Sequence, residues 1–181
     1  MIVANKLRET NRAEYLIYMW QLEDLLRQFD CNMSRLEQEY LSRFQFDKEV
    51  LRQTTEWYQH LCNMMLEENL RESGHLQINR NTLNGLEELH AALLKSEKFP
   101  YYKQMYYKVL PYVVEIRAKG SDGSESELYN CFEALYGVLL LRLQKKEISP
   151  ATQQACTDIS AMLGQLAEYF NKWKQGELEL E

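Results

Sequence analysis

Two side chains that could share a metal ion lie three residues apart in the middle of the chain. Glu87 and His90 form the pattern Glu-x-x-His, which a helix places on one face. Carboxylate-bridged di-iron bundles use this pattern twice, together with two more inward-facing glutamates. The same spacing recurs at Glu72 and His75, but we expect His75 to lie in a connector rather than on a helix, so no second helical copy is predicted. The pattern therefore favours the interpretation of His90 as a half-buried histidine bonded to a neighbour. Glu87 and His90 are the candidate ligands if a metal site exists.

A run rich in tyrosine and lysine, KFPYYKQMYYK at residues 98–108, could contact another molecule. Aromatic rings interleaved with cations bind single-stranded nucleic acid by stacking. Tyr102 and Tyr106, however, belong to a stripe of apolar residues at helical spacing, which we expect to face the core. The side chains left for a protein or ligand contact are Tyr101, Lys103, Lys108 and Tyr112.

An acidic pair in the first long helix, Glu23 and Asp24, is a third candidate site. The structural interpretation is an ion pair between Glu23 and Arg27, four residues apart, which stabilises a helix by about 0.2–0.5 kcal/mol. The functional interpretation is a carboxylate in a pocket walled by Trp20. The spacing is compatible with both.

The elements that position these residues are predicted to be helices. Seven glycines and three prolines leave few turn signals, and apolar residues recur at steps of three and four. We expect a solvent loop at 119–124 and a frayed tail at 175–181. The seven predicted helices are 4–30, 34–44, 47–73, 80–96, 100–118, 125–147 and 150–175.

Short polar residues mark several helix starts. Ser34 and Ser124 each precede a glutamate by three residues, which is the spacing of a capping box. Asp47 precedes a long amphipathic run, and Ser149 precedes a proline that suits the first helical position. We predict these four residues as N-caps, and we expect Pro111 to kink or split the fifth helix.

The first long helix determines the architecture that we expect. Apolar residues cover most of its surface between residues 15 and 29, including Met19, Trp20 and Leu22. A soluble helix of this kind must be surrounded by other helices. We therefore predict an all-α fold, an irregular antiparallel bundle of about seven helices around a buried N-terminal helix, in a single domain spanning residues 1–181.

Charge and hydropathy restrict the classes of partner. A net charge of -6 disfavours general binding to nucleic acid or to anionic membranes. The most apolar stretch, residues 128–143, is shorter than the roughly 20 residues that cross a bilayer, and the N-terminus lacks a signal-peptide pattern. We expect a cytoplasmic protein without a membrane partner.

The cysteines and the missing motifs give no sign of a cofactor. Cys31, Cys62, Cys131 and Cys156 lie far apart, without a Cys-x-x-Cys pair, so we expect reduced, core-filling thiols rather than a zinc site. The sequence contains no phosphate-binding loop, dinucleotide fingerprint or nucleophile elbow. We therefore expect no cofactor.

The opening segment from Ala4 to Arg27, ANKLRETNRAEYLIYMWQLEDLLR, resembles an uncharacterised family of small bacterial cytosolic proteins, a domain of unknown function. The resemblance implies an all-helical fold of similar length and a cytosolic location. It implies no activity and no catalytic residue. The residues that carry it are Asn11, Ala13, Glu14, Tyr15, Leu16, Tyr18, Met19, Trp20, Gln21, Glu23, Asp24 and Arg27.

Two functions of different classes follow as hypotheses. The alternative hypothesis is a helical enzyme that binds a small ligand or a metal in a polar pocket near Glu23, Glu87 and His90. The leading hypothesis is a non-enzymatic interaction or scaffold module that self-associates, because exposed aromatic patches mark contacts. The aromatics that we expect to exceed the capacity of one core are Trp20, Trp57, Tyr101, Tyr112, Tyr129 and Tyr136.

Overall fold

The computed structural model describes residues 2–119 and 125–181 of the chain. In this part every regular element is helical, which confirms the all-α prediction, and none of the helices has the length and apolar character needed to span a membrane. The described α-helices are Ile2–Thr10 (α1), Arg12–Gln28 (α2), Met33–Glu39 (α3), Lys48–Glu67 (α4), Gln77–Lys95 (α5), Pro100–Lys119 (α6), Glu127–Leu143 (α7) and Pro150–Lys174 (α8), with a 3-10 turn at Leu41–Arg43.

The helix α2 lies between two clusters of buried side chains. Leu16 and Trp20 belong to the first cluster, the C-terminal core, which also contains residues of α5 to α8. Tyr15 and Met19 belong to the second cluster, the N-terminal core, which α2 forms with α1, α3 and α4. Met19, Trp20 and Leu22 are all buried, as the apolar pattern around this helix predicts.

The protein has two cores, and together they hold most of the six aromatic side chains that a single core was not expected to hold. Trp57 packs against the N-terminal core, and Tyr129 and Tyr136 pack against the C-terminal core. Tyr112 is half-buried, and of the six aromatics Tyr101 alone is exposed, by 59%. The number of aromatics therefore does not by itself indicate a contact surface, because α2 divides the interior in two.

The predicted helix 4–30 is in fact two helices that meet at Asn11. This residue has extended backbone angles (φ −153°, ψ 96°), and its side-chain oxygen accepts hydrogen bonds from the backbone N–H groups of Ala13 and Glu14, both at 3.1 Å. Asparagine is among the best N-caps because its oxygen satisfies such unpaired amides. The apolar pattern continues across the break, so periodicity alone predicts one helix where there are two.

Three of the four predicted N-caps lie in the described residues. Asp47 and Ser149 cap α4 and α8 as predicted, and each accepts a hydrogen bond from the backbone N–H three residues later. Ser34 does not cap α3, because Asn32 takes that position two residues earlier. The fourth predicted cap, Ser124, and the predicted loop beyond Lys119 lie outside the described residues.

Helix α4 is shorter than predicted, and α6 is unbroken. α4 ends at Glu67 and α5 begins at Gln77, which leaves a connector at residues 68–76. The predicted break at Pro111 does not occur. Pro111 lies on the exposed face of α6, where water can bond the carbonyl group that the missing N–H leaves unpaired.

The last residues of the chain pack against the bundle instead of fraying as expected. Gly176 adopts a left-handed φ of +74° just after α8. Beyond it, Leu178 and Leu180 pack against the C-terminal core. In an extended segment alternate side chains point to the same side, so both leucines reach the core together.

Candidate functional site

The most deeply buried charged side chain in the described residues is Glu23 on α2, which is 1% exposed. Its Oε1 accepts hydrogen bonds from the backbone N–H of Leu76 at 2.9 Å and from the side-chain amide of Asn79 at 2.6 Å. Its Oε2 lies 2.6 Å from Nδ1 of His75. Burying a carboxylate is costly unless hydrogen bonds replace water, and these three partners supply them.

His75 lies between this carboxylate and two aromatic rings. Its ring stacks on Trp20, with 4.1 Å between the centroids, and meets Tyr129 edge-on at 6.0 Å. A carboxylate beside Nδ1 favours the tautomer that carries the proton there, which leaves Nε2 as a hydrogen-bond acceptor. Trp20 therefore stacks on His75, which in turn contacts the Glu23 carboxylate, and Trp20 does not form the wall of a pocket around that carboxylate.

The same face of α2 holds the connector 68–76 through a second set of contacts. Arg27 pairs with Asp24 at 2.7 Å and not with Glu23, so the predicted ion pair four residues apart is wrong. The physical reason is that Glu23 is already bonded to the connector and α5. The Arg27 guanidinium also donates to two backbone carbonyl groups of the connector. We call this set the connector clamp: Glu23, Arg27, His75 and Asn79.

Glu87 and His90 have separate partners. Glu87 accepts a hydrogen bond from the hydroxyl of Ser126, the N-cap of α7. Nδ1 of His90 lies 2.6 Å from the hydroxyl of Tyr102, and burial lowers the pKa of His90. No three His, Cys, Asp or Glu side chains of the described residues are grouped as a metal site. His90 is therefore bonded to a neighbour, as the structural interpretation predicts.

The four residues of the predicted interaction surface have different environments. Nζ of Lys108 lies 2.7 Å from the carboxylate of Asp158 on α8, and the Tyr112 hydroxyl donates to the same carboxylate at 3.1 Å. The hydrogen bond from Lys108 is the main cause that lowers the pKa of Asp158. Lys103 is half-buried. Lys108 and Tyr112 therefore fasten α6 to α8, and Tyr101 is the one aromatic of the set that is exposed.

A row of apolar side chains faces solvent along α6. Its members recur at steps of four, three and four residues, which places them on one face of the helix. Tyr107 is 64% exposed and Val114 is 59% exposed. Isolated exposed apolar residues are ordinary, whereas a row of them on one helix face is typical of contact surfaces. We call this row the α6 stripe: Tyr107, Pro111, Val114 and Ala118.

A groove of about 710 Å³ lies between α2, α7 and α8. Pockets for small molecules in proteins measure about 300–1,000 Å³ and are mostly apolar with a few polar groups. Its polar lining includes Glu14, Gln21, Ser160 and Arg142. The apolar walls include Ile17, Phe132, Leu135, Val138, Leu139 and Leu163.

Small residues keep this groove open. A Cβ atom built on Gly164 of α8 would meet no atom within 4 Å. Hydrophobic periodicity identifies the apolar face of each helix but carries no information about the space that remains between three helices. The sequence therefore gives no signal for the groove. Glu23, Glu87 and His90, predicted to share a polar pocket, do not line it.

All four cysteines are buried free thiols, as predicted. Burial raises the pKa of Cys62 to about 11 and that of Cys131 to about 12. Thiols with a raised pKa are poor nucleophiles at neutral pH. Cys156 also lines the groove between α2, α7 and α8.

The described residues define an all-α protein with a buried polar clamp and an open, mainly apolar groove. The chain belongs to the family described as Domain of unknown function (DUF4924), whose model matches residues 1–177. The resemblance to an uncharacterised all-helical family is thereby confirmed. A search of curated proteins and a search of solved structures each found no match.

Five of the polar residues that carry the resemblance belong to one of these two features. Glu23 and Arg27 belong to the connector clamp. Asn11, Glu14 and Gln21 line the groove. One helix therefore positions both.

Proposed function

We propose that the protein is a non-enzymatic interaction module that self-associates, with the α6 stripe as the contact between two copies. The exposure of Tyr107 and Val114 supports this proposal, because both side chains present more than half of their surface to water. Apolar area removed from water in such a contact contributes about 25 cal/mol per Å². Aromatic residues such as Tyr107 are enriched at the centres of protein interfaces.

The spacing of the α6 stripe favours a second copy of the chain as the partner. In an antiparallel pair of α6 helices with a two-fold axis between Pro111 and Val114, the stripe of one copy meets the same stripe of the other. Tyr107 of each copy then lies opposite Ala118 of the other, so a large side chain meets a small one.

Sedimentation velocity of the full chain tests this proposal. We expect the wild-type protein to sediment as a dimer and Val114→Glu to sediment as a monomer, because the substitution places two like charges in the contact. Val3→Glu is the matched control, since Val3 on α1 is 51% exposed and undergoes the same chemical change. We expect this control to remain a dimer.

Two results would overturn the proposal. One is a wild-type protein that sediments as a monomer at every concentration measured. The other is an equal loss of dimer in Val114→Glu and Val3→Glu, because the added charge would then weaken the dimer irrespective of whether it lies on α6.

We further propose that the protein is bacterial and cytoplasmic and binds neither membranes nor nucleic acid. The resemblance of the first helices supports the origin, and the four unpaired cysteines support a reducing compartment. The net charge of -6 supports the absence of a nucleic-acid partner. A salt-sensitive mobility shift with a single-stranded oligonucleotide that Lys103→Glu weakens would contradict the last point.

A further inference from the structure

We propose that the groove between α2, α7 and α8 binds a single-chain amphiphile with an anionic headgroup, a molecule of the fatty-acid type. The apolar walls receive the hydrocarbon chain, and Arg142 receives the headgroup. The site is separate from the α6 stripe, so this proposal and the proposed self-association can fail independently.

The walls of the groove match an extended hydrocarbon chain. Phe132 and Arg142 mark the two ends of the α7 face that lines it, and ten residues of helix span about 15 Å. Leu135, Val138 and Leu139 lie between these ends. One face of α2 and one face of α8 close the other two sides. A long, mostly apolar cleft of this kind favours an aliphatic chain over a compact polar ligand.

Arg142 supplies positive charge in this groove. Its guanidinium forms no ion pair or side-chain hydrogen bond with the described residues. It lies close enough to the Cys156 thiol to oppose the rise in pKa that burial causes there. Lys145 and Lys146 follow in the turn to α8, and within the described part of the chain they too form no ion pair. The planar guanidinium group matches the geometry of a carboxylate or a phosphate.

Glu14 also lines the groove and would favour a cationic ligand. It lies in the first turn of α2, where the helix dipole stabilises a carboxylate. Arg12 lies two residues before it at the start of the same helix, and Arg8 lies on α1. Residues 8–14 carry two arginines and two glutamates, a net charge of zero, whereas residues 142–147 carry three basic residues and one glutamate, a net charge of +2. This difference favours an anionic headgroup.

Calorimetric titration of the full chain with decanoate tests the hydrocarbon site. We expect one decanoate per chain and about 15-fold weaker binding of octanoate, because each buried methylene contributes about fourfold to affinity. Gly164→Leu places a side chain in the groove and should weaken decanoate binding at least roughly tenfold. Gly137→Leu is the matched control, because a Cβ there also meets no atom within 4 Å and Gly137 does not line the groove. We expect this control to bind as the wild type does.

A second comparison tests the headgroup. Arg142→Gln should weaken decanoate binding roughly tenfold and leave 1-decanol binding unchanged, because only the carboxylate loses a charged partner. Arg142 is exposed, so this variant is expected to fold even if Gly164→Leu does not. Tighter binding of decyl phosphate than of decanoate would identify a phosphate headgroup, and the reverse would identify a carboxylate. Either result supports the anionic assignment.

Several results would overturn the proposal. Equal weakening by the two glycine substitutions would mean that decanoate does not occupy the groove. Tighter binding of decyltrimethylammonium than of decanoate would exclude an anionic headgroup. Absence of decanoate binding would refute the ligand site. If Gly164→Leu also changed the sedimentation coefficient in that case, the groove would be a contact between two copies of the chain.

Discussion

Replacing Glu23 with alanine should destabilise the protein far more than a typical surface substitution. The change removes the acceptor for the backbone N–H of Leu76 and the side-chain amide of Asn79, both of which are buried. It also removes the partner of Nδ1 of His75. The connector 68–76 then keeps only the hydrogen bonds from Arg27 as its polar attachment to α2 among the contacts described above.

The expected size follows from the number of donors left without a partner. Each buried donor without an acceptor costs about 1–3 kcal/mol, and two buried donors, the N–H of Leu76 and the amide of Asn79, lose their acceptor. We therefore expect Glu23→Ala to lower the free energy of unfolding by about 3–5 kcal/mol. Glu23→Gln keeps an acceptor for Leu76 and Asn79 and loses only the negative charge beside His75, so about 1–2 kcal/mol is expected.

Urea unfolding followed by circular dichroism measures these free energies. Glu88→Ala is the matched control, because Glu88 lies on the exposed face of α5 and should change the free energy by no more than about 0.5 kcal/mol. The expected order of destabilisation is Glu23→Ala, then Glu23→Gln, then Glu88→Ala. A loss below about 1 kcal/mol for Glu23→Ala would refute the role of the clamp, because it would show that water replaces the lost acceptor.

Two further predictions concern backbone conformation and pH. Gly164→Ala should raise the free energy of unfolding by about 0.5–1 kcal/mol, because alanine favours the helix and the added Cβ has open space. Gly74→Ala should lower the free energy of unfolding by about 1–2 kcal/mol in the same urea assay, because φ is +90° and the Cβ would lie 2.9 Å from the Leu70 side chain. An equal effect of the two glycine substitutions would contradict the reasoning. Hydrogen bonding to Lys108 lowers the pKa of Asp158, so its contribution to stability is complete above about pH 4 and is lost as the pH falls through the lowered value. The difference in stability between wild type and Asp158→Asn should therefore shrink in acid, and a constant difference from pH 7 to pH 2 would contradict the prediction.

Local patterns account for the parts of the structure that the sequence predicts correctly. The apolar residues around α2 indicate a buried central helix because no single-sided contact could cover them. Asp47 and Ser149 are identifiable as N-caps because a cap and its amide lie three residues apart. Where local signals compete, as at Asn11, the capping residue ends the helix although the apolar pattern continues.

The candidate sites depend on contacts between residues distant in the chain. Glu23 meets His75 and Asn79 across 52 and 56 positions, and Lys108 meets Asp158 across 50. No spacing rule relates residues at such distances. The sequence therefore assigns Lys108 to an interaction surface, and it assigns Glu23 either to a partner on its own helix or to a polar pocket with Glu87 and His90.

The sequence by itself determined that this chain is helical and that its first long helix is buried, because both follow from residue types at intervals of three and four. Only the tertiary structure decided where α2 places its polar side chains and that a groove remains between α2, α7 and α8. The position of a polar partner and the space between helices are properties of three-dimensional packing, which the order of residues along a helix does not encode.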